Sequence, residues 1–231
     1  LPVWAELKVS NIGSRTAFTI EDYQTLYGYL RNYTKNISDE KEIYLRKIIR
    51  DFILVQSNTG LRFGECRFLK WHYVSIVKGD NKYPNVHIRV EAETSKVRKD
   101  RTAVGMRGDF FSRIKTYSNH THPTDYVFAD METGKPLDKK NIYNMWKLIM
   151  TESGLEDSLN DYTYYCLRHT FATYRLQYGK VDIRTLAKVM GCSVTYIEQH
   201  YDSARVENMT DYITRGINEK SKDAFGDVIL R

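Results

Sequence analysis

Two arginines lie in short segments whose residue types could hold a charged substrate group. The segment "TGLRFGE" places Arg62 at a predicted helix start with Glu65 one turn later, and "YYCLRHTFAT" places Arg168 beside His169. A guanidinium group offers paired, permanently charged donors that match phosphate or carboxylate oxygens. Each arginine also has a structural explanation. Arg62 and Glu65 could form a surface ion pair worth under about 1 kcal/mol, and Arg168 could extend from a core helix to solvent.

Two further residues have types that can take part in catalysis. Lys96 lies in "ETSKVRKD", and Tyr201 lies in "SVTYIEQHYD". A lysine can act as a general acid and a tyrosine as a nucleophile. Taken singly, Lys96 fits a solubilising turn residue, and Tyr201 is one of eighteen tyrosines, most of which are expected to serve packing.

The composition favours a globular chain with a polyanionic partner. The chain has 231 residues, 42% of them hydrophobic, and a formal net charge of +6. This excess favours nucleic acid first and an anionic membrane surface second, although a merely soluble basic surface fits as well. The three cysteines lie far apart, which argues against a disulfide framework and favours a reducing compartment. The sequence has no apolar run long enough to span a bilayer and no signal-peptide pattern.

The periodicity of apolar residues predicts a mostly α-helical fold with a small three-stranded antiparallel β-sheet. Between Trp71 and Met106 the pattern alternates, so that "HYVSIV" and "VHIRV" predict a hairpin and "RTAVGM" predicts a third strand. Helices are predicted from Thr19 onward, from about Asp39 to Val55, over 107–117 and 138–153, and as a series joined by short turns over 167–215.

The order of these segments resembles the tyrosine recombinases, also called phage-type integrases. Catalytic domains of that family carry T-G-L-R-x-x-E, a lysine in a β-hairpin, H-x-L-R-H-T-F-A-T, L-G-H-S, and a tyrosine nine residues after the histidine of L-G-H-S. The resemblance runs from Arg15 to Asp211, with Tyr201 nine residues after Cys192. The matching segments are T-G-L-R-F-G-E at 59–65, T-S-K at 94–96, Y-C-L-R-H-T-F-A-T at 165–173 and M-G-C-S at 190–193.

The resemblance implies the fold of that catalytic domain and a covalent DNA-cutting mechanism. Arg62 and Arg168 would hold the scissile phosphate, and Tyr201 would attack the phosphorus to form a 3′-phosphotyrosine with release of a 5′-hydroxyl. Lys96 would protonate that leaving oxygen, and Glu65 would orient its neighbours. Because the phosphotyrosine keeps the bond energy, resealing would need neither ATP nor a metal ion, so no cofactor is expected.

Two positions depart from the family pattern. Tyr165 and Cys192 stand where the family has histidines. A phenol with a reference pKa of about 10 is a poor general base near neutrality, although it can donate a hydrogen bond to phosphate, and a thiol is a weak donor. His169 and His200 are the nearby histidines that could compensate, but the family also carries a histidine at the position of His169, where it is interpreted as structural. The sequence therefore predicts a competent but slow active site.

A basic stretch is predicted to contact the DNA backbone. The alternative is a solvated run of charge, which is typical of hairpin turns. With the catalytic hypothesis in place, contact with phosphates is favoured. The residues are Arg98, Lys99, Arg101, Arg107 and Arg113.

Two alternative functions stay open at this point. "TLAKVMGCSVTYIEQHY" also resembles a helix-turn-helix, which would make the protein a catalytically inactive DNA-binding regulator. That pattern is weak and does not explain Arg62 or Lys96. The second alternative, a type IB topoisomerase-like relaxing enzyme, would use the same chemistry. A metal site at His120 and His122 is not expected, because no third ligand stands nearby.

The resemblance also carries expectations about organisation and partners. Residues 1–15 are predicted to link to an N-terminal DNA-binding domain, 16–204 to form the catalytic domain, and 205–231 to form a C-terminal helix and tail that exchanges between protomers. The expected partners are double-stranded DNA, further copies of the chain in a tetramer across two DNA sites, and accessory DNA-bending proteins, with no membrane involved. The protein is expected to act in the cytoplasm of a prokaryotic cell. Its gene is expected to belong to a phage or mobile element.

Overall fold

The structure of the chain is a computed structural model. It describes residues 17–79, 82–92, 100–156, 161–179 and 181–201, and for His200 and Tyr201 it describes the backbone only. Several sequence predictions therefore lie outside the described residues: those on the linker at 1–15, on Lys96, Arg98 and Lys99, and on the C-terminal segment at 205–231.

The first two helices begin at capping side chains. Helix α1 spans Ile20–Arg31 and helix α2 spans Glu40–Thr59. Thr19 and Asp39 each accept a hydrogen bond from the backbone N–H three residues later, at 3.0 and 2.8 Å. Such caps satisfy donors that the first turn of a helix leaves without partners. Both starts agree with the sequence prediction.

Helix α2 runs further than predicted. The sequence predicts an end near Val55, but the helix continues to Thr59 through a last turn that is polar and largely buried. The Thr59 hydroxyl donates to the Val55 carbonyl at 2.7 Å, and the Gln56 amide donates to the Leu61 carbonyl at 3.4 Å. Internal hydrogen bonds thus replace apolar burial in this turn. Gly60 ends the helix with a left-handed φ of 65°, a conformation that favours glycine.

The predicted three-stranded sheet is present. A short helix α3, Phe63–Arg67, leads to it, and its strands pair antiparallel in chain order as β1 (Val74–Val77), β2 (Asn85–Val90) and β3 (Arg101–Met106). Side chains of the middle strand alternate between buried and exposed, so one face of the sheet packs against the core.

Helices make up most of the remaining described chain, which confirms the predicted mostly α-helical class. No helix within the described ranges combines the length and apolar character that crossing a bilayer requires. The helices are α4 (Asp109–Lys115), α5 (Lys139–Glu152), α6 (Tyr164–Gln177), α7 (Ile183–Met190) and α8 (Val194–Tyr201).

Helix α6 joins two apolar clusters. Its first half, including Leu167, packs into the large core around α2. Its second half, with Phe171 and Ala172, packs with the apolar residues of α7 and α8. The α7–α8 pair is therefore held against the rest of the protein through α6, and Gly191, which ends α7, lies beside the start of α3.

Candidate active site

Arg62 stands where α2 gives way to α3. It occupies the N-cap position of α3, and its backbone N–H donates to Oε2 of Glu65 at 2.8 Å. Its Nη1 donates to Oε1 of the same carboxylate at 2.8 Å. The Glu65 side chain is 2% exposed and that of Arg62 is 20% exposed. The pair is thus built into a helix start and is not the freely solvated surface ion pair of the structural explanation.

Arg168 is buried at the centre of the protein. It lies on α6 and is 1% exposed. Its Nη1 donates to the carbonyl of Gly60, and its Nη2 donates to the carbonyl of Met190 at 2.7 Å. A charge removed from water must find such partners. The guanidinium group therefore does not extend to solvent, and it connects the end of α2 with the end of α7.

The two predicted arginines converge on one turn. Nη2 of Arg62 donates to the carbonyl of Gly191 at 2.6 Å, directly after the Met190 carbonyl that Arg168 binds. Gly191 has a left-handed φ of 63° and leads the chain from α7 toward α8. Sequence spacing alone could not establish this convergence, since it depends on how α2, α6 and α7 pack together.

Replacing Gly60 by alanine should destabilise the protein by about 2–3 kcal/mol. The left-handed φ disfavours a side chain, and a Cβ at this position would overlap the Phe171 ring. A shift of the Gly60 carbonyl would also disturb Arg168. Urea denaturation measures the loss. Gly28→Ala on α1 is the control, because its Cβ would meet nothing within 4 Å; equal stability of the two variants would contradict the prediction.

Arg101 has an inward position among the arginines predicted to contact DNA. Its Nη1 and Nη2 donate to the two carboxylate oxygens of Glu65 at 2.9 and 2.6 Å. Its Nε donates to the Val189 carbonyl at 3.1 Å, and its side chain is 7% exposed. This placement favours a role inside the site over contact with the DNA backbone.

Arg107 and Arg113 pair with aspartates. Arg107 donates to Asp109 at 2.9 Å, and Arg113 donates to the buried carboxylate of Asp51. Both guanidinium groups also rest over the ring of Phe110. Contact of these two residues with DNA stays a prediction.

Tyr165 lies beside a tyrosine that the sequence did not single out. Its hydroxyl shares a 2.9 Å hydrogen bond with the hydroxyl of Tyr196 on α8. Its ring meets the ring of the buried His169 edge to face, at 4.8 Å between centroids. The sequence contains no signal for Tyr196, because which tyrosine of α8 faces α6 is decided by the packing of the two helices.

The electrostatic surroundings keep the Cys192 thiol and the Tyr196 hydroxyl protonated at neutral pH. Burial raises the pKa of Cys192, and the nearby guanidinium groups only partly oppose this. Burial and the hydrogen bond with Tyr165 raise the pKa of Tyr196 to about 12. Burial alone would raise the pKa of Glu65, but the contacts with Arg101 and Arg62 outweigh burial and lower it. The carboxylate is therefore ionised, and the thiol and phenol are donors rather than bases.

The charge balance of the cluster favours an anion. The guanidinium groups of Arg62, Arg101 and Arg168 outnumber the single Glu65 carboxylate, which leaves two positive charges in excess. In the described part of the chain, no three histidine, cysteine or acidic side chains gather as metal ligands would. The rings of His120 and His122 hydrogen-bond instead to the Met131 carbonyl and the Thr124 hydroxyl.

Helix α8, which ends at Tyr201, begins directly after the turn that the arginines bind. The Ser193 hydroxyl accepts from the backbone N–H of Tyr196 at 3.0 Å, and Ile197 is fully buried against α7. Both contacts anchor the helix directly after the turn that the arginines bind. The side chain of Tyr201, like Lys96, lies outside the described residues.

The sequence model of the phage integrase family matches residues 18–208 of this chain. The chain belongs to the phage integrase family. This family match spans α1 to α8 and includes every residue of the arginine cluster.

This member of the phage integrase family is similar in sequence to tyrosine recombinases of staphylococci. The chain is 26% identical over 161 residues to tyrosine recombinase XerD of Staphylococcus aureus, and the same figures hold for XerD of Staphylococcus saprophyticus. The match covers 65% of this chain and 49% of the XerD protein, so the chain spans about half the length of these relatives.

Solved structures of other recombinases and integrases share the fold. The XerH site-specific recombinase bound to its difH substrate has a TM-score of 0.61 at 20% identity, over 87% of this chain and 54% of that one. XerA recombinase has a TM-score of 0.59 at 21% identity, over 94% of this chain and 70% of XerA. A λ integrase dimer bound to a core site has a TM-score of 0.56 at 18% identity, over 83% of this chain and 60% of the integrase chain. At these identities the likeness concerns the fold of the phage integrase family.

Proposed function

We propose that this chain carries the catalytic domain of a site-specific DNA recombinase or integrase, which cuts and rejoins strands through a tyrosine–phosphate bond. The observation that carries the proposal is the convergence of Arg62 and Arg168, from distant parts of the sequence, on the Met190–Gly191 carbonyls. Membership of the phage integrase family and the similarity to XerD support it.

The two arginines would stabilise the transition state of phosphoryl transfer. Their guanidinium groups would donate to the non-bridging phosphate oxygens, which gain charge as phosphorus becomes five-coordinate. Fixed donors of this kind stabilise the transition state more than the ground state. The excess of positive charge around Glu65 would also attract the phosphate to the site.

Tyr201 and Lys96 would carry out the bond changes. The Tyr201 hydroxyl loses its proton and attacks phosphorus, and the bond to the 5′ oxygen breaks as Lys96 protonates that oxygen. The DNA 3′ end is then joined to the tyrosine. A 5′-hydroxyl of a second strand attacks this phosphotyrosine and restores both a phosphodiester and the free phenol. The bond energy is conserved, so neither ATP nor a metal ion is needed.

The remaining residues would tune the site. Tyr165, held by Tyr196, and Cys192 would donate hydrogen bonds to phosphate, where family members use histidines. Because neither group is a strong base or a cation, we expect slow cleavage. His169 would support Tyr165 by ring packing, and His200 is proposed as a proton acceptor near Tyr201. Arg98, Lys99, Arg107 and Arg113 are proposed as contacts to the DNA backbone.

The complete protein would work as an assembly on DNA. We propose a tetramer across two DNA sites, with residues 205–231 exchanged between protomers and accessory DNA-bending proteins as further partners. The source would be a phage or mobile element, and the site of action a prokaryotic cytoplasm. A solved XerH complex and a solved Tn1549 integrase complex contain DNA, which is consistent with this proposal.

Trapping the covalent intermediate tests the proposal. The protein is incubated with a nicked substrate from its flanking genomic DNA, so that the cleaved end diffuses away, and is then run on a denaturing gel. A protein–DNA adduct whose attached peptide maps to α8 is expected. Binding without an adduct would instead favour the DNA-binding regulator. Relaxation of supercoiled DNA without strand exchange between sites would favour the topoisomerase-like enzyme.

Restoring a histidine should accelerate cleavage. Cys192→His should raise the single-turnover rate about tenfold, because a hydrogen bond to a charged group is worth at least about 1.5 kcal/mol and a thiol is a weak donor. Rates are measured between pH 6 and 8 with enzyme in excess. Cys192→Ser, which restores only a neutral donor, is the matched comparison. A histidine variant no faster than the serine variant at any of these pH values would refute the prediction.

A further inference from the structure

Three successive carbonyls at the end of α7 each accept from a different arginine. Along Val189–Gly191 the donors are Arg101 at 3.1 Å, Arg168 at 2.7 Å and Arg62 at 2.6 Å. Carbonyls at a helix C-terminus lack partners within the helix and carry the negative end of its dipole. The three cations therefore fix the turn from which α8 departs.

Arg101 differs from the other two because both of its Nη atoms bind one carboxylate. Both its Nη atoms bind the Glu65 carboxylate, at 2.9 and 2.6 Å, and the same carboxylate binds Arg62 at 2.8 Å. The aliphatic part of the Arg101 side chain packs closely on the turn: a Cβ added to Gly191 would lie only 2.7 Å from Cδ of Arg101. Arg101 thus contacts both the carboxylate that orients Arg62 and the turn that leads to α8.

We infer that Arg101 is a positioning residue of the active site, which holds Glu65 and Arg62 in register with the α7–α8 turn and does not itself bind DNA phosphates. The predicted effect on cleavage rests on the proposed function, whereas the effect on the turn does not. One carboxylate faces two guanidinium groups, so Arg101 neutralises Glu65 and leaves the charge of Arg62 for a phosphate. Without Arg101, Glu65 would compete with the phosphate for Arg62.

Substitutions of Arg101 test the inference through cleavage. Arg101→Met should lower the cleavage rate of the saturated protein–DNA complex about 100-fold, since a small misplacement of a reacting geometry costs that much. DNA affinity should change far less than the cleavage rate of the bound complex, because one phosphate is a small part of the contacts that bind DNA. Arg101→Lys keeps the charge without the paired donors, so its cleavage rate should lie between those of wild type and Arg101→Met. Arg101→Met with Glu65→Gln should cleave faster than Arg101→Met alone, because no buried carboxylate then competes for Arg62.

Hydrogen exchange tests the turn without any cleavage. The amides of Gly191 and Cys192 donate to carbonyls of α7, at 3.3 and 3.1 Å. Peptides covering these amides should exchange about tenfold faster in Arg101→Met, because the turn loses one of its three tethers. Peptides from α2 should exchange at the wild-type rate. Arg46→Met is the matched control, since Arg46 is also largely buried and ion-paired, with Glu42 at 2.6 Å.

Three results would overturn the inference. Weaker DNA binding with a salt slope reduced by about one, and normal cleavage once bound, would make Arg101 a phosphate contact. Equal losses of cleavage rate and of exchange protection in Arg101→Met and Arg46→Met would show that Arg101 contributes only to general stability. Unchanged hydrogen exchange at Gly191 and Cys192 in Arg101→Met would show that Arg101 does not hold the turn. Failure of wild type to form an adduct would refute the proposed function alone, because the exchange experiment is independent of it.

Discussion

Replacing Tyr201 by phenylalanine should abolish the covalent adduct and leave DNA binding intact. The substitution removes one oxygen atom, and that oxygen is the proposed nucleophile, so the proposed route to a phosphotyrosine is closed. We expect at least about a 10³-fold loss of cleavage, the limit being set by detection, since the difficult step has no other covalent path. Adduct formation on a nicked substrate and affinity by gel shift are measured on the same preparation.

Two other tyrosines make this result specific. Tyr178→Phe removes an exposed hydroxyl at the end of α6 and should cleave like wild type. Tyr196→Phe tests a competitor, because the Tyr196 hydroxyl lies in the site and hydrogen-bonds Tyr165. An adduct that survives in Tyr201→Phe and disappears in Tyr196→Phe would move the nucleophile to Tyr196. A regulator without catalysis would bind DNA equally in all three variants and form no adduct in wild type.

Local sequence patterns were sufficient for most elements of this fold. The capping residues Thr19 and Asp39 mark their helix starts because an N-cap interaction involves only neighbouring residues. The strand alternation from Val74 to Met106 likewise reflects burial of one face of the sheet. The end of α2 was missed because Thr59 is held by hydrogen bonds in a buried environment, which no local apolar pattern indicates.

The site was less predictable than the elements that carry it. The resemblance implied that Arg62 and Arg168 share a site, and their local patterns fitted ordinary ion pairs as well. Arg101 looked like one more charge of a basic turn, because nothing near it in sequence indicates burial. Its inward position is decided by Glu65 on α3 and by Gly191 after α7. Such assignments depend on contacts between distant segments, which the order of residues does not contain.

Arg168→Lys should have the largest effect among substitutions that keep the charge of the site. Lysine retains one positive charge but lacks the planar, paired donors. We expect cleavage of the saturated complex to fall about 10³-fold, as when a fixed donor to a developing oxyanion is removed. The carbonyls of Gly60 and Met190 share this guanidinium group, and a lysine ammonium cannot reproduce both contacts. The variant should therefore also lose about 2 kcal/mol of stability.

The catalytic loss and the stability loss can be separated on helix α6 itself. Arg175→Lys changes the same residue type two turns later, where the guanidinium group makes a long contact with the sulfur of Met106 at 3.8 Å and lies 5.3 Å from the centre of the Phe171 ring, without an ion pair or a carbonyl partner among the described residues. It should cleave within about twofold of wild type, since changes away from such networks are small. Single-turnover rates are compared well below the melting temperature of each variant, so that unfolded protein does not contribute. If Arg168→Lys then cleaved like Arg175→Lys, Arg168 would be a structural tie between α2 and α7, and the phosphate would have to be bound elsewhere.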